Sequence, residues 1–234
     1  ILLVRNLIDD REDLSSQCKR EVSKQYGGAQ TIYAPELKLP YKARELDNQG
    51  NTVFADKTRR IDASNAEVKG NVSVEMLHRS IYDIPVYKAD FTIDGSFVIS
   101  DKDHTYYDGI VYLYIPLGDF KGLEGNITAD VDGKEYVFTL SEDGLRIELD
   151  MESLSVGQVI EYSVRFKNKG AESLRFYPKS DTFKVNLVSN YLSPGFDGAF
   201  LPSDRTITKD GFEAEWIVTD FNTFGNNHPE FYVE

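Results

Sequence analysis

The chain has 234 residues, 39 acidic against 26 basic, and a formal net charge of −13. An acidic chain has no general basic field with which to neutralise phosphates, which argues against nucleic acid as a partner. A single cysteine, Cys18, excludes an internal disulfide framework, and with only three histidines it leaves no Cys/His zinc pattern.

No stretch approaches the roughly 18 consecutive apolar residues of a membrane span. The longest apolar run, residues 110–115 with Leu117 beyond Pro116, is strand-sized. The chain opens on Ile1-Leu2-Leu3-Val4 without a methionine or a signal peptide, and closes on Phe231-Tyr232-Val233-Glu234. It reads as an excised soluble piece of a longer protein.

Residues 5–26 predict a helix. Leu7, Leu14, Cys18 and Val22 form one narrow stripe at near-helical spacing. Asp9, Asp10, Glu12 and Asp13 come early and Lys19, Arg20 and Lys24 late, an order that complements the helix dipole. Gly27-Gly28 supplies the stop. So narrow a stripe suits either a surface helix lying along a sheet or a membrane-proximal stalk.

Beyond Gly28 the period switches from helix to strand. Leu145, Ile147, Leu149 and Met151 alternate with polar residues, as do Ile160, Tyr162, Val164 and Phe166, and Phe212, Ala214, Trp216 and Val218. Such segments are half-buried antiparallel strands. Weaker alternation marks 72–76, 87–93, 136–140 and 183–187, while 110–115, apolar on both faces, reads as a central strand. Asp94-Gly95, Asp108-Gly109, Asp132-Gly133, Asp143-Gly144, Asp197-Gly198 and Asp210-Gly211 supply tight-turn chemistry. Residues 47–60 read as a long hairpin loop or insertion. The expectation is a mainly antiparallel β-sandwich with one N-terminal helix: a helix over 1–28, then a single large domain over 29–234.

Catalytic constellations are missing. There is no G-x-S-x-G, H-E-x-x-H, phosphate loop or G-x-G-x-x-G, and His78, His104 and His228 lie far apart. The run Asp101-Lys102-Asp103-His104-Thr105 opens like a calcium loop, but has Tyr106 where glycine is needed and Tyr112 where a bidentate glutamate should sit. Asn71-Val72-Ser73 and Asn126-Ile127-Thr128 match the glycosylation triplet, a pattern common by chance. No cofactor, metal or enzymatic activity is expected. In the Pro/Gly-rich segment 191–205, Phe196, Phe200 and Leu201 either pack beneath the loop or form a contact surface.

That segment resembles the signature of the CreD family of inner-membrane, cell-envelope integrity proteins. The family pattern Phe-x-Gly-x-Phe-Leu-Pro, then Arg, then Gly-Phe-x-Ala-x-Trp is matched by Phe196, Gly198, Phe200, Leu201, Pro202 and Arg205, then Gly211, Phe212, Ala214 and Trp216. Ser189 and Pro194 also match. Tyr191 stands where the family usually has tryptophan, and Leu192-Ser193 replace its Pro-His. Arg11-Glu12 through Gly27-Gly28, Gln30, Pro35 and Pro40-Tyr41 are similar to the family's first extracytoplasmic segment. Arg79, Ile81, Tyr82, Val86-Tyr87 and Phe97 are similar to its Arg-x-Ile-Tyr region, and 174–178 to the stretch before the signature.

The resemblance implies a topology of one N-terminal membrane helix, a periplasmic domain and several C-terminal spans, with this chain as the periplasmic domain of an inner-membrane protein. It favours the stalk for the first helix and supplies no enzymatic activity. The expected function is non-catalytic support of envelope integrity or stress response through contacts with a protein or envelope polymer. Its membrane partner would be reached through flanking spans. The expected contact loop comprises Pro194, Phe196, Gly198, Phe200, Leu201, Pro202 and Arg205. The alternatives are a carbohydrate-binding or carbohydrate-cleaving sandwich and a ligand-responsive sensor.

Overall fold

The computed structural model describes residues 2–225 and 229–234, and the side chains at 2–10, 12 and 13 lie outside that description. In chain order the elements are α1 (Leu2–Tyr26), β1 (Gln30–Tyr33), β2 (Glu36–Leu46), β3 (Thr52–Arg79), β4 (Tyr82–Val98), α2 (Asp101–His104) and β5 (Val111–Pro116). Then come β6 (Leu123–Val131), β7 (Lys134–Val137), β8 (Thr139–Ser141), β9 (Gly144–Leu149), β10 (Val159–Gly170), β11 (Leu174–Tyr177) and β12 (Ser180–Ser189). The last are β13 (Phe196–Gly198), β14 (Asp204–Thr208), β15 (Gly211–Thr219), α3 (Asp220–Thr223) and β16 (Phe231–Val233). The fold is mainly β and mainly antiparallel, with one long N-terminal helix, the two single α-helical turns and a 3₁₀ turn at Phe120–Gly122 among the described residues.

The organising element is β3. Its first part pairs with β2, which continues through β5 to β9 and β8. Its later part pairs with β4, leading to β10, β6 and β7. On its other side β3 pairs in parallel with β12, which carries β15 and β14. One strand is thus hydrogen-bonded into both large sheets. A separate four-stranded sheet, in the order β1-β11-β16-β13, closes one end. Inward side chains of the alternating strands, among them Ile93, Phe97, Ile147, Ile160, Val164, Phe183 and Trp216, form one continuous core.

Several expectations are corrected. Within 47–60 only 47–51 form a loop: Asn51 donates its backbone N–H to Asp47, and β3 begins at Thr52. Residues 52–60 looked loop-like because that part of β3 pairs with β2 while most of its side chains stay in water. Asp94-Gly95 lies inside β4, where glycine is required by close approach: a Cβ at Gly95 would stand 2.3 Å from the Asn65 carbonyl and 2.4 Å from the Tyr162 hydroxyl. Asp197-Gly198 likewise lies within β13. Asp132-Gly133 does make a hairpin turn between β6 and β7, with both residues at positive φ (49° and 82°).

Helix α1 begins at Leu2, so the acidic run falls beyond its first turn. Of the expected stripe, Leu14 is exposed while Cys18 and Val22 pack with Tyr26 against Leu77, Tyr82, Ile84, Val86 and Ala171. The side chain of Leu7 lies outside the described residues. The Tyr82 hydroxyl donates to the Arg11 carbonyl at 2.8 Å, and the Ser23 hydroxyl donates to Glu172 at 2.7 Å. Among the described residues, the contacts of the helix with the sheet run from Arg11 to Tyr26.

Candidate functional site

The chain leaves β12 through a short run that imitates a strand. The Asn190 side-chain amide accepts from the Val74 N–H at 2.7 Å and donates to the Val74 carbonyl at 3.2 Å, which extends the pairing of β12 with β3 by one rung. The next residues form a strap across the end of the domain. Gly195 and Glu234 exchange backbone hydrogen bonds at 3.0 Å, and β13 pairs with β16. Gly198 has φ +100°, and a Cβ there would stand 2.6 Å from the Glu230 carbonyl oxygen, so the strap can lie this close only with glycine. Ser203 then donates its N–H to the Glu215 carbonyl at 2.7 Å, which leads into β14.

The segment is therefore less irregular than its Pro/Gly content suggests: it contributes two short strands. Its aromatic residues point inward. Phe196 stands edge-on to Phe212, with ring centroids 5.5 Å apart, and Phe200 edge-on to Phe231 at 6.3 Å. Trp216, 1% exposed, stacks on Phe231 at 5.4 Å and Phe176 at 6.4 Å. Pro194 and Pro202 are half-buried, while Gly198 and Arg205 are exposed. The Arg205 guanidinium lies 5.7 Å above the Phe196 ring. Leu201 (65% exposed) and neighbouring Leu192 (57% exposed) are the large aliphatic side chains that the strap turns to solvent. Of the expected contact residues, the aromatic ones anchor the strap, and Leu201 and Arg205 occupy its outer surface.

Behind the strap lies an open cleft of about 440 Å³. Val74, Leu187, Tyr191, Phe212 and Val233 supply apolar lining, while Lys19 of α1 and Arg175, Glu172 and Glu234 supply charge. The cleft therefore touches the docked helix, the strap and the final strand together. Its mixed lining suits an amphipathic occupant.

The titratable groups singled out in the sequence do not converge. His78 pairs with Asp83 at 3.0 Å on an exposed hairpin, His104 is exposed on α2, and His228 lies outside the described residues. The calcium-like run is the helical turn α2. Asp103 caps that turn at Ser100 and pairs with the Arg59 Nε at 2.7 Å. Burial opposes ionisation of Asp103, but the Ser100 hydroxyl and the Arg59 guanidinium outweigh it and hold the carboxyl below its usual range. No cluster of three or more His, Cys, Asp or Glu able to hold a metal occurs among the described residues.

One ionic cluster was missed by sequence reasoning. Glu36, at the start of β2, is 1% exposed; Lys179 donates to its Oε2 at 2.7 Å, and Lys38 and Arg60 stand 3.8 and 3.9 Å from Oε1. Burial alone would lower the Lys179 pKa, but Glu36 and Asp62 raise it. The available signal was faint: Glu36 and Lys38 share one strand face, with Leu37 and Leu39 on the other.

Helix, sandwich and strap together define a β-domain whose end is built around one aromatic cluster. The chain belongs to the CreD family: the family model described as "Inner membrane protein CreD" matches residues 1–230. It is 23% identical over 248 aligned residues to the inner membrane protein CreD of Escherichia coli strain K12, an alignment that covers 100% of this chain and 54% of that protein. The chain thus spans about half the length of that relative. Among solved structures, the M1 zinc metallopeptidase of Deinococcus radiodurans aligns with 74% of this chain and 42% of its own, at 11% identity and a TM-score of 0.42. Its E323A mutant bound to a Tyr-Ser-Ala substrate aligns equally, at 10% identity and a TM-score of 0.42.

Proposed function

We propose that this chain is the extracytoplasmic domain of an inner-membrane protein and supports the cell envelope through contacts with a protein or an envelope polymer rather than through catalysis. Family membership supports the inner membrane. The observation that carries the topology is in the small end sheet. Gln30, where the chain enters β1, pairs with Leu174 of β11, and Val233, near the end of β16, pairs with the same Leu174. Entry and exit are therefore level, on either side of one strand and roughly 10 Å apart at ordinary strand spacing. Lys19 of α1, the helix that precedes β1, lines the same cleft as Glu234 beyond β16, which supports both connections running toward one bilayer.

A contact role is supported by how the strap is built. Its aromatic side chains anchor it, leaving Leu192, Leu201 and Arg205 outward on a fixed backbone. The topology is tested in cells carrying the full-length protein with Cys18→Ser and Leu201→Cys. A membrane-impermeant thiol reagent should label that cysteine while the inner membrane is intact; labelling only after lysis overturns the reading. The contact role is tested by Leu192→Asp, Leu201→Asp and Arg205→Ala at unchanged protein level. Increased envelope sensitivity is expected, and wild-type behaviour from all three removes the strap as the contact.

A further inference from the structure

The hairpin of β3 and β4 runs past the end of β12 and leaves one edge of β3 open. Register and parity define what that edge offers. The Asn190 amide bonds both main-chain groups of Val74, so even-numbered residues of this stretch turn their N–H and C=O away from β4. Beyond Val74, those of Met76 and His78 face outward, and among the described residues neither has a backbone partner on that side. The opposite side of the hairpin is guarded differently: Pro85 pairs with Met76 and removes the N–H that would point outward from β4. Proline on one edge and an unblocked strand on the other is an asymmetry that edge protection does not explain. The open edge also carries exposed Met76, at 58% exposure, and Glu75 and Arg79 are exposed beside it with no salt bridge among the described residues.

We propose that this edge pairs with the same edge of a second copy of the chain, antiparallel, about a two-fold axis at Leu77. In that register Met76 lies opposite His78 of the second copy and exchanges both backbone hydrogen bonds with it. Symmetry repeats the exchange and uses every open main-chain group of the two residues. Glu75 falls opposite Arg79 of the second copy, again twice, and Leu77 meets its own counterpart. Moving the axis to Met76 puts His78 of the second copy on Val74, which Asn190 already occupies, and sets Glu75 against Leu77. Moving it to His78 sets Met76 against Ser80, a turn residue at φ 57°. Charge pairing and hydrogen-bond parity therefore select the same register. So short an edge buries less area than a standard stable interface, so the association is weak and is best captured covalently.

The test uses the purified 234-residue chain with Cys18→Ser under mild oxidation. Leu77→Cys should give a disulfide-linked dimer, because residues facing each other across a non-hydrogen-bonded pair have Cα atoms about 4.5 Å apart. Glu75→Cys alone and Arg79→Cys alone should remain monomeric, since each would stand about 14 Å from its counterpart in this register. Mixing those two chains should produce a crosslinked pair, which keeps the test decisive if Leu77→Cys disturbs the docking of α1. Charge reversal adds an independent readout by sedimentation. Glu75→Arg or Arg79→Glu alone should weaken the dimer roughly three- to tenfold, and the two together should restore it. Overturning results are crosslinking of Glu75→Cys with itself as efficient as that of Leu77→Cys, or no crosslink in the mixture.

Discussion

Phe196 meets Trp216 edge-on, with ring centroids 5.5 Å apart and planes at 67°. One ring belongs to a three-residue strand of the strap and the other to the centre of β15, so the strap and the deepest part of the core are a single packing unit. Trp216→Ala should cost about 3–5 kcal/mol of stability in denaturant unfolding. Leu201→Ala, on the outer surface, should change it by no more than about 0.5 kcal/mol. A double-mutant cycle of Phe196→Ala and Trp216→Ala should return a coupling of about 0.5–1.5 kcal/mol; independent effects would contradict the shared unit.

Gly198 and Gly133 both hold positive φ, at +100° and +82°, but a Cβ at Gly133 meets nothing within 4 Å while one at Gly198 strikes backbone. Gly133→Ala should therefore cost about 1–2 kcal/mol, the price of the conformation alone. Gly198→Ala should cost clearly more and should loosen the β13–β16 pairing, seen as faster amide exchange at Gly195 and Glu234.

The pair of Asp103 and Arg59 sets a pH dependence whose sign follows from the lowered Asp103 carboxyl. Its stabilisation is fully present above the ordinary carboxyl value of about 4 and is lost as pH falls through the folded value. Asp103→Asn should therefore lower stability at neutral pH and flatten the acid limb of the stability profile. Asp181 is the opposite case. Partial desolvation first, then Asp220 and Asp62, raise the carboxyl of this largely exposed residue, so a small, solvent-screened penalty appears as pH rises through the unfolded value. Asp181→Asn should stabilise the chain at neutral pH and have no such benefit in acid.

Val22 is the buried anchor of α1, 2% exposed, one helical turn beyond half-buried Cys18. Val22→Ala should speed thiol modification of Cys18 under native conditions while leaving the main unfolding transition nearly unchanged, because it loosens the helix without reaching the large core. A Cys18 labelling rate equal to wild type would show that the helix does not depend on that contact.

The sandwich was legible wherever one strand face meets the core and the other meets water: Leu145, Ile147 and Leu149, or Phe212, Ala214, Trp216 and Val218, alternate because burial alternates. It was not legible where both faces are solvated, as in residues 52–60, since backbone pairing alone leaves no mark in side-chain polarity. Asp94-Gly95 misled for a different reason: the glycine answers to Tyr162 and Asn65, residues remote in sequence. The strap was visible as a motif, but which of its residues face inward depends on β16 and β15 lying beneath it. The open edge of β3 was invisible, because it is set by where β12 stops.

The long reach of β3 has a consequence for the order of assembly. Its Glu67 is bonded to Asn186, 119 residues later in the chain. During synthesis the longest strand is therefore exposed along one flank until residues 180–189 have emerged. Any truncation that removes β12 would leave a raw sheet edge to recruit the nearest available chain, so nonsense variants ending before Ser180 should be lost to aggregation and proteolysis rather than persist as partly folded fragments.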